Sequence, residues 1–318
     1  MRILFSEGET TSLASSITKF RLENGRRYHA LKDGSYTVPN DDMENERLDI
    51  QHYSCLLTLD GRLYTAPIGD KPLNRVLDGG CGIGNWTIDF ADAHPETKVR
   101  QMCPAVRVDL SPVQSTFVPP NVEFFVDDIE EEWTYSAPFD FIYLRMLLGA
   151  IGDWPKLIAQ AYRHTAPGGY VELMDAIYPV ESDDGTLTED SAVYRWNKLL
   201  TEAAAKANRR LDEGRNHRQN LIDAGFQNVT ETRYKWPINT WPKDPKFKDL
   251  GAWTLENFLQ GVQGFTLALF TRVLGWTQEE IELFLIEVRK GYKDRRIHAY
   301  WHIVVVHGQR PEEEAGAS

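Results

Sequence analysis

The sequence predicts an α/β fold built on a seven-stranded, mostly parallel, doubly wound sheet, with a helical lid before it and a helical insertion ahead of the last strand. Three observations carry this. From Lys71 onward short apolar runs alternate with helical segments. The first run, Arg75-Val76-Leu77, ends in Asp78 and passes directly into the glycine-rich stretch Gly79-Gly80-Cys81-Gly82-Ile83-Gly84. Two late apolar runs, at 228–234 and 299–306, suit the reversed hairpin that closes such a sheet.

Residues 1–25 are polar without clear periodicity and read as a mobile arm. Residues 26–70 read as a lid of one helix and a hairpin. Asp41 is the expected N-cap of the helix, with Glu44 in the capping-box position, and the helix should run to about Leu57. Asp60-Gly61, between two apolar stretches, is a hairpin-type turn signal. Residues 71–318 form the main domain. Its first strand is 75–77, followed by a helix whose inward stripe is Trp86, Phe90 and Ala93. The second strand is placed at 106–110 and the third at 121–126. The fourth spans 139–144, and the fifth, 170–173, follows the turn Ala166-Pro167-Gly168-Gly169. A helical cap at about 250–293 carries Phe258, Phe265, Leu267, Leu269, Phe270, Val273, Leu274 and Trp276 at helical spacing. This is a packing face that would also line an apolar pocket.

The chain has 318 residues, 42% hydrophobic and 26% charged, which is enough for one large domain with a full core. It contains no run of about 18 apolar residues, and the Met1-Arg2-Ile3-Leu4-Phe5 start is too short for a secretory signal, so a cytoplasmic or nuclear location is expected. A net charge of −12 argues against recognition of a phosphate backbone. Cys55, Cys81 and Cys103 are too few and scattered for a disulfide framework or a metal site and read as free thiols.

Glycines in a strand-to-helix turn let the backbone touch a ligand and adopt positive φ. A dinucleotide fingerprint needs a third glycine or alanine. The frame from Gly80 reaches Asn85 there and the frame from Gly82 reaches Thr87, so neither fits. The pattern D-x-G-x-G-x-G, at Asp78, Gly80, Gly82 and Gly84, resembles motif I of the class I S-adenosylmethionine (SAM) methyltransferases. A carboxylate and free helix-start N–H groups complement a methionyl ammonium and carboxylate. The resemblance implies a Rossmann-like fold with SAM held by Asp78, Gly79, Gly80, Gly82 and Gly84. Asp109 and Leu110 at the second strand end would meet the ribose, and Asp127, Asp128 and Ile129 the adenine, although Asp128 also reads as part of the solvated acidic run 127–132. Tyr143, at the end of the fourth strand, would lie under the sulfonium.

Flanking segments narrow the resemblance. Glu46-Arg47-Leu48-Asp49-Ile50-Gln51-His52, Leu59-Asp60-Gly61-Arg62-Leu63, Val108-Asp109-Leu110-Ser111-Pro112, Lys235-Trp236-Pro237-Ile238-Asn239 and Arg295-Arg296-Ile297-His298-Ala299-Tyr300-Trp301 resemble the fungal LaeA-like methyltransferases. Two departures stand out: 100–107 looks like an insertion, and 213–223 looks abbreviated. The resemblance implies methyl transfer to an O or N atom of a small, hydrophobic or aromatic secondary metabolite. The alternative it implies is a SAM-binding regulator acting through a velvet-type protein partner; a protein methyltransferase is a third reading. Methyl transfer to O–H or N–H calls for a base or an anchor, for which His52, Tyr143 and Arg145 are the candidates, with Glu172 and His298 behind them.

Overall fold

The computed structural model describes residues 21–28, 38–69, 72–103, 118–126 and 128–312. Its sheet is built from β3 (Arg75–Gly79), β4 (Lys98–Cys103), β5 (Val122–Val126), β6 (Phe139–Arg145), β7 (Thr165–Ser182), β8 (Gln227–Pro237) and β9 (Ala299–Gln309), in the order β5-β4-β3-β6-β7-β9-β8. The first five in that order run parallel, and β9 lies antiparallel to both β7 and β8. The order reverses at β3, so the crevice at the carboxyl ends of β3 and β6 is where such a sheet binds ligands.

Two strands depart from expectation. The expected strand at 106–110 lies outside the described residues; the strand that pairs in register with β3, from Arg75↔Lys98 to Gly79↔Met102, is Lys98–Cys103. The polar Arg100 and Gln101 hid it from an apolar-run criterion. Half of the apparent insertion at 100–107 is therefore strand. The fifth strand is far longer than 170–173. The Pro-Gly-Gly turn is absorbed as an irregularity, with Phe139↔Thr165 followed by Phe141↔Tyr170 and Gly168 at φ +74°.

Alternation along the central strands sorts the core. Val76, Phe141 and Tyr143 face Trp86 and Phe90 of α2 (Asn85–Ala93), whereas Leu77, Ile142 and Leu144 face α3 (Trp154–His164) and α5 (His217–Asp223). A third cluster lies under α4 (Ala192–Lys206), α6 (Pro245–Leu269) and α7 (Gln278–Lys293), which with a π turn at Phe270–Leu274 make up the cap.

The N-terminal helix α1 (Asp42–Thr58) starts as expected, with Asp41 Oδ1 accepting from the Glu44 N–H at 3.2 Å. Its far end corrects the hairpin reading. Gly61 N–H donates to Leu56 O at 2.8 Å and Asp60 N–H to Leu57 O, with Asp60 at φ +55°, so the dipeptide closes the helix in a Schellman arrangement. The left-handed backbone that suits a hairpin turn also suits a helix stop. A hairpin does occur earlier: β1 (Arg21–Glu23) pairs antiparallel with β2 (Arg26–Tyr28), in the stretch where the arm was expected to end. Residues 1–20 lie outside the described residues. No helix among the described residues is long and apolar enough to cross a membrane.

Candidate active site

The glycine loop does what its composition demands. Gly80 sits at φ +78°, where an added Cβ would fall 2.3 Å from Leu147 Cδ2; Gly82, at φ +57°, faces open space with only Leu48 at 3.4 Å. Gly84, also left-handed, is the N-cap of α2 and offers no side chain to its first N–H groups. Gly79 ends β3 against Leu144 and Ile129. Asp78 is buried with Thr87 Oγ1 donating to it at 2.6 Å, and burial pushes its carboxyl up to about 6 against that hydrogen bond and the Arg145 charge. An enclosed carboxylate so poorly compensated, on the wall of a cavity and beside a glycine cradle, fits a cationic ligand such as the methionyl end of SAM.

Asp78, Gly80 and Gly82 border a cavity of about 210 Å³ that continues between α1 and α6. Its deeper wall is apolar and aromatic, including Leu148, Leu211, Trp236, Phe258, Phe265 and Trp301. Of the eight cap residues singled out from spacing, Phe258, Phe265 and Leu269 reach the cavity. Leu267 and Phe270 are buried in the core, and Val273, Leu274 and Trp276 pack against it. Tyr178 also lines the wall, its phenol pushed up to about 12 by burial, so it presents a neutral hydroxyl.

His52 comes to the site on α1 because that helix is fastened over the start of α2: Asn85 Nδ2 donates to Asp49 at 2.7 Å, and His52 Nε2 meets Asp89 Oδ2 at 2.9 Å. Arg145 Nη2 lies 3.1 Å from His52 Nδ1. Because a guanidinium can only donate, Nδ1 is the acceptor and Nε2 carries the proton given to Asp89. Burial and the Arg145 charge hold the imidazole below its ordinary pKa. His52 is thus a neutral ring with both nitrogens engaged.

Tyr143 does not reach the site. It is fully buried on the α2 side of β6, stacked on Trp86 with ring centroids 4.2 Å apart, its hydroxyl 3.9 Å from Met174 Sδ. Tyr143 and Arg145 lie on the same face of β6, with the guanidinium 6.0 Å from the Tyr143 ring centroid; Tyr143 is packed against α2 within the strand, whereas Arg145, its last residue, borders the cavity. Glu172 is structural. It accepts from Thr65 N–H at 2.8 Å, Thr65 Oγ1 at 3.0 Å and Ala66 N–H at 2.5 Å, and burial lifts its carboxyl to about 7. His298 pairs with Asp184 at 2.6 Å, away from the cavity. Asp109, Leu110 and Asp127 lie outside the described residues. Asp128 Oδ1 accepts from Glu130 N–H at 2.8 Å and the Ile129 side chain is buried; neither borders the cavity. Cys81 is disulfide-bonded, correcting the free-thiol reading there, while Cys55 is free and buried.

Several wall residues were not legible as site residues. Arg47 is gripped by Glu44 at 2.8 and 2.6 Å, donates to Asn257 at 2.8 Å and lies over the Phe265 ring at 5.1 Å, joining α1 to α6. Glu44, Arg47 and Gln51 recur at helical spacing, so a polar stripe on an otherwise ordinary helix was the available signal. Met146, at φ +54° directly after β6, gave none. Its N–H is held by Met174 O at 2.8 Å, and Asp175 accepts from Leu148 N–H at 3.1 Å, which aims the loop 146–150 at the cavity.

Comparison with known proteins agrees with this geometry. A family described as "Methyltransferase domain" matches residues 50–231. Methyltransferase pytC of Aspergillus terreus is 41% identical over 308 residues, covering 97% of this chain and 93% of its own. The secondary metabolism regulator LAE1 of Cochliobolus heterostrophus is 36% identical, covering 92% and 95% respectively. Among solved structures, the [4+2]-cyclase SpnF superimposes with a TM-score of 0.50 at 14% identity, over 82% of each chain, a likeness of fold alone.

Proposed function

The chain belongs to the LaeA-like family of class I SAM-dependent methyltransferases, and from that premise we propose that it methylates an O or N atom of a small, apolar or aromatic secondary metabolite. The observation that carries this reading is the cavity itself. It runs from Asp78, Gly80 and Gly82 to Leu211, Trp236, Phe258 and Trp301, between α1 and α6. A concave, mostly apolar pocket with a few polar groups suits a small molecule.

Asp78 would hold the ammonium of SAM, Gly80 and Gly82 would admit its backbone-like methionyl chain, and the uncapped start of α2 would donate to its carboxylate. When bound, SAM supplies an electrophilic methyl group on a sulfonium. The protein's own tasks are to align the acceptor, to exclude water with α1 and α6, and to fix the charge state of the acceptor atom.

The second reading, a SAM-binding regulator acting through protein partners, draws its support from relatives named as regulators, LAE1 and laeA. One experiment separates the two. Purified protein is titrated with SAM and with NAD, then incubated with methyl-labelled SAM and a fungal metabolite extract. We expect SAM binding, no NAD binding, and label in a small molecule. SAM binding with no labelled product would move the weight to the regulatory reading, and absence of SAM binding would overturn both.

A further inference from the structure

Arg145 is the one candidate whose surroundings leave its chemistry unanswered. Its guanidinium borders the cavity at the end of β6, and no carboxylate among the described residues lies within 4.0 Å of it in an ion pair. The groups it touches are the His52 ring at 3.1 Å, the Cys55 thiol and the face of Tyr143, 6.0 Å from its centroid; the Asp78 carboxyl acts on it through its field without a direct ion pair. The other charged groups on the cavity wall are committed. Arg47 is paired with Glu44, and Asp78 is bonded to Thr87 and faces the glycine loop. A guanidinium on the wall of a largely apolar cavity, with no carboxylate in direct ion pair with it, is a site for an anionic ligand.

We propose that Arg145 receives the ionised oxygen of the methyl acceptor, and that the acceptor is therefore an apolar acid, a carboxylic acid or an enol of similar acidity. This rests on the methyltransferase reading above and narrows its substrate class. The methionyl charges of SAM already have partners in Asp78 and the start of α2, which leaves Arg145 for the second ligand. The Asp89–His52 pair is its positioning device. Asp89 accepts the Nε2 proton, which presents the Nδ1 lone pair to the guanidinium and fixes its plane.

This assignment also removes the need for a general base, which the site does not offer in Tyr143, Glu172 or a doubly engaged His52. The acid enters already ionised. Its oxygen supplies the electron pair of the new O–C bond, the S–C pair stays on sulfur as a neutral thioether, and no proton leaves. Anion and sulfonium cancel, giving a methyl ester or enol ether.

The test uses full-length protein saturated with S-adenosylhomocysteine and titrated calorimetrically with 2-naphthoate and 2-naphthamide, which share shape but not charge. We expect naphthoate to bind at least tenfold more tightly. Arg145→Gln should erase that preference while S-adenosylhomocysteine affinity stays within twofold. Arg145→Lys, which keeps the charge if the glutamine variant folds poorly, should retain most of it. Equal binding of the two probes by the wild type, with S-adenosylhomocysteine still bound, would overturn this proposal alone. So would an Arg145→Gln protein that loses product affinity tenfold but keeps the acid preference, since Arg145 would then serve the methionyl carboxylate. Failure to bind S-adenosylhomocysteine at all would overturn the methyltransferase reading and this proposal with it.

Discussion

The two ends of the cavity are built in opposite ways. The end we assign to the cofactor is one continuous stretch, Asp78 to Asn85, whose shape follows from its own residues: a strand end, left-handed glycines and a helix start. The end we assign to the acceptor is gathered from α1, the loop after β6, β7, α4, β8, α6 and β9, and seven of its wall residues (Ala176, Leu200, Leu211, Trp236, Phe258, Leu269 and Trp301) belong to the hydrophobic core under the cap. A locally encoded site can be altered without touching the core, whereas a wall that is also core cannot. The wall proposed for the acceptor is therefore tied to stability through the large core side chains that form it, and the glycine loop only through its own backbone and the buried Asp78.

The sharpest way to break that comparison is at Phe258, which lines the cavity and stacks on Tyr292 with centroids 3.5 Å apart. Phe258→Ala should destabilise the protein by about 3 to 5 kcal/mol, as expected for a large core side chain, read by urea unfolding. A loss below 1 kcal/mol would show that the wall is independent of the core.

Glu172 lies outside the cavity and fastens the loop after α1 to β7. Its pKa in the folded protein is raised to about 7 from an ordinary 4.5, so the folded state binds the proton more tightly than the unfolded chain. Its contribution is therefore fully present below about pH 4.5 and is lost as pH rises through about 7. Asp78, raised to about 6, acts in the same direction over a lower window. For Glu172 the change is on the order of 3 kcal/mol. Glu172→Gln should flatten the fall in unfolding free energy between pH 5 and pH 8, and an unchanged slope would sink the assignment.

Gly82→Val probes the other end. The branched side chain faces the cavity at a positive φ, so SAM affinity should fall by about 100-fold or more, while the backbone strain costs stability only about 1 to 3 kcal/mol. Normal SAM binding by this variant would mean the loop has been misassigned. Equal loss of binding and of fold would mean the two ends are not separable after all.

How much of this was readable in advance follows the same division. Asp78, Gly80 and Gly82 were named from their spacing and stand on the cavity wall, because a turn that needs positive φ and a bare backbone leaves its mark in adjacent residues. The helix start at Asp41 was readable for the same reason. The Asp60-Gly61 pair was ambiguous, since one backbone conformation serves two kinds of turn and only the chain that follows decides between them. The strand Lys98–Cys103 was missed because Arg100 and Gln101 break the apolar run, and pairing with β3 and β5 is a long-range fact.

His52, Tyr143 and Arg145 show where sequence stops. All three are candidates from the sequence, yet packing against α2 buries Tyr143 within β6 while Arg145, on the same face at the strand end, reaches the cavity, and Asp89 of α2 and Arg145 together engage both nitrogens of His52. By itself the sequence determined the sheet's first turn and the cofactor it suits, because those depend on neighbours in the chain. Which side chains share a cavity was decided only by the tertiary structure, since Arg47 and Asn257, or His52 and Arg145, meet through packing that no local pattern records.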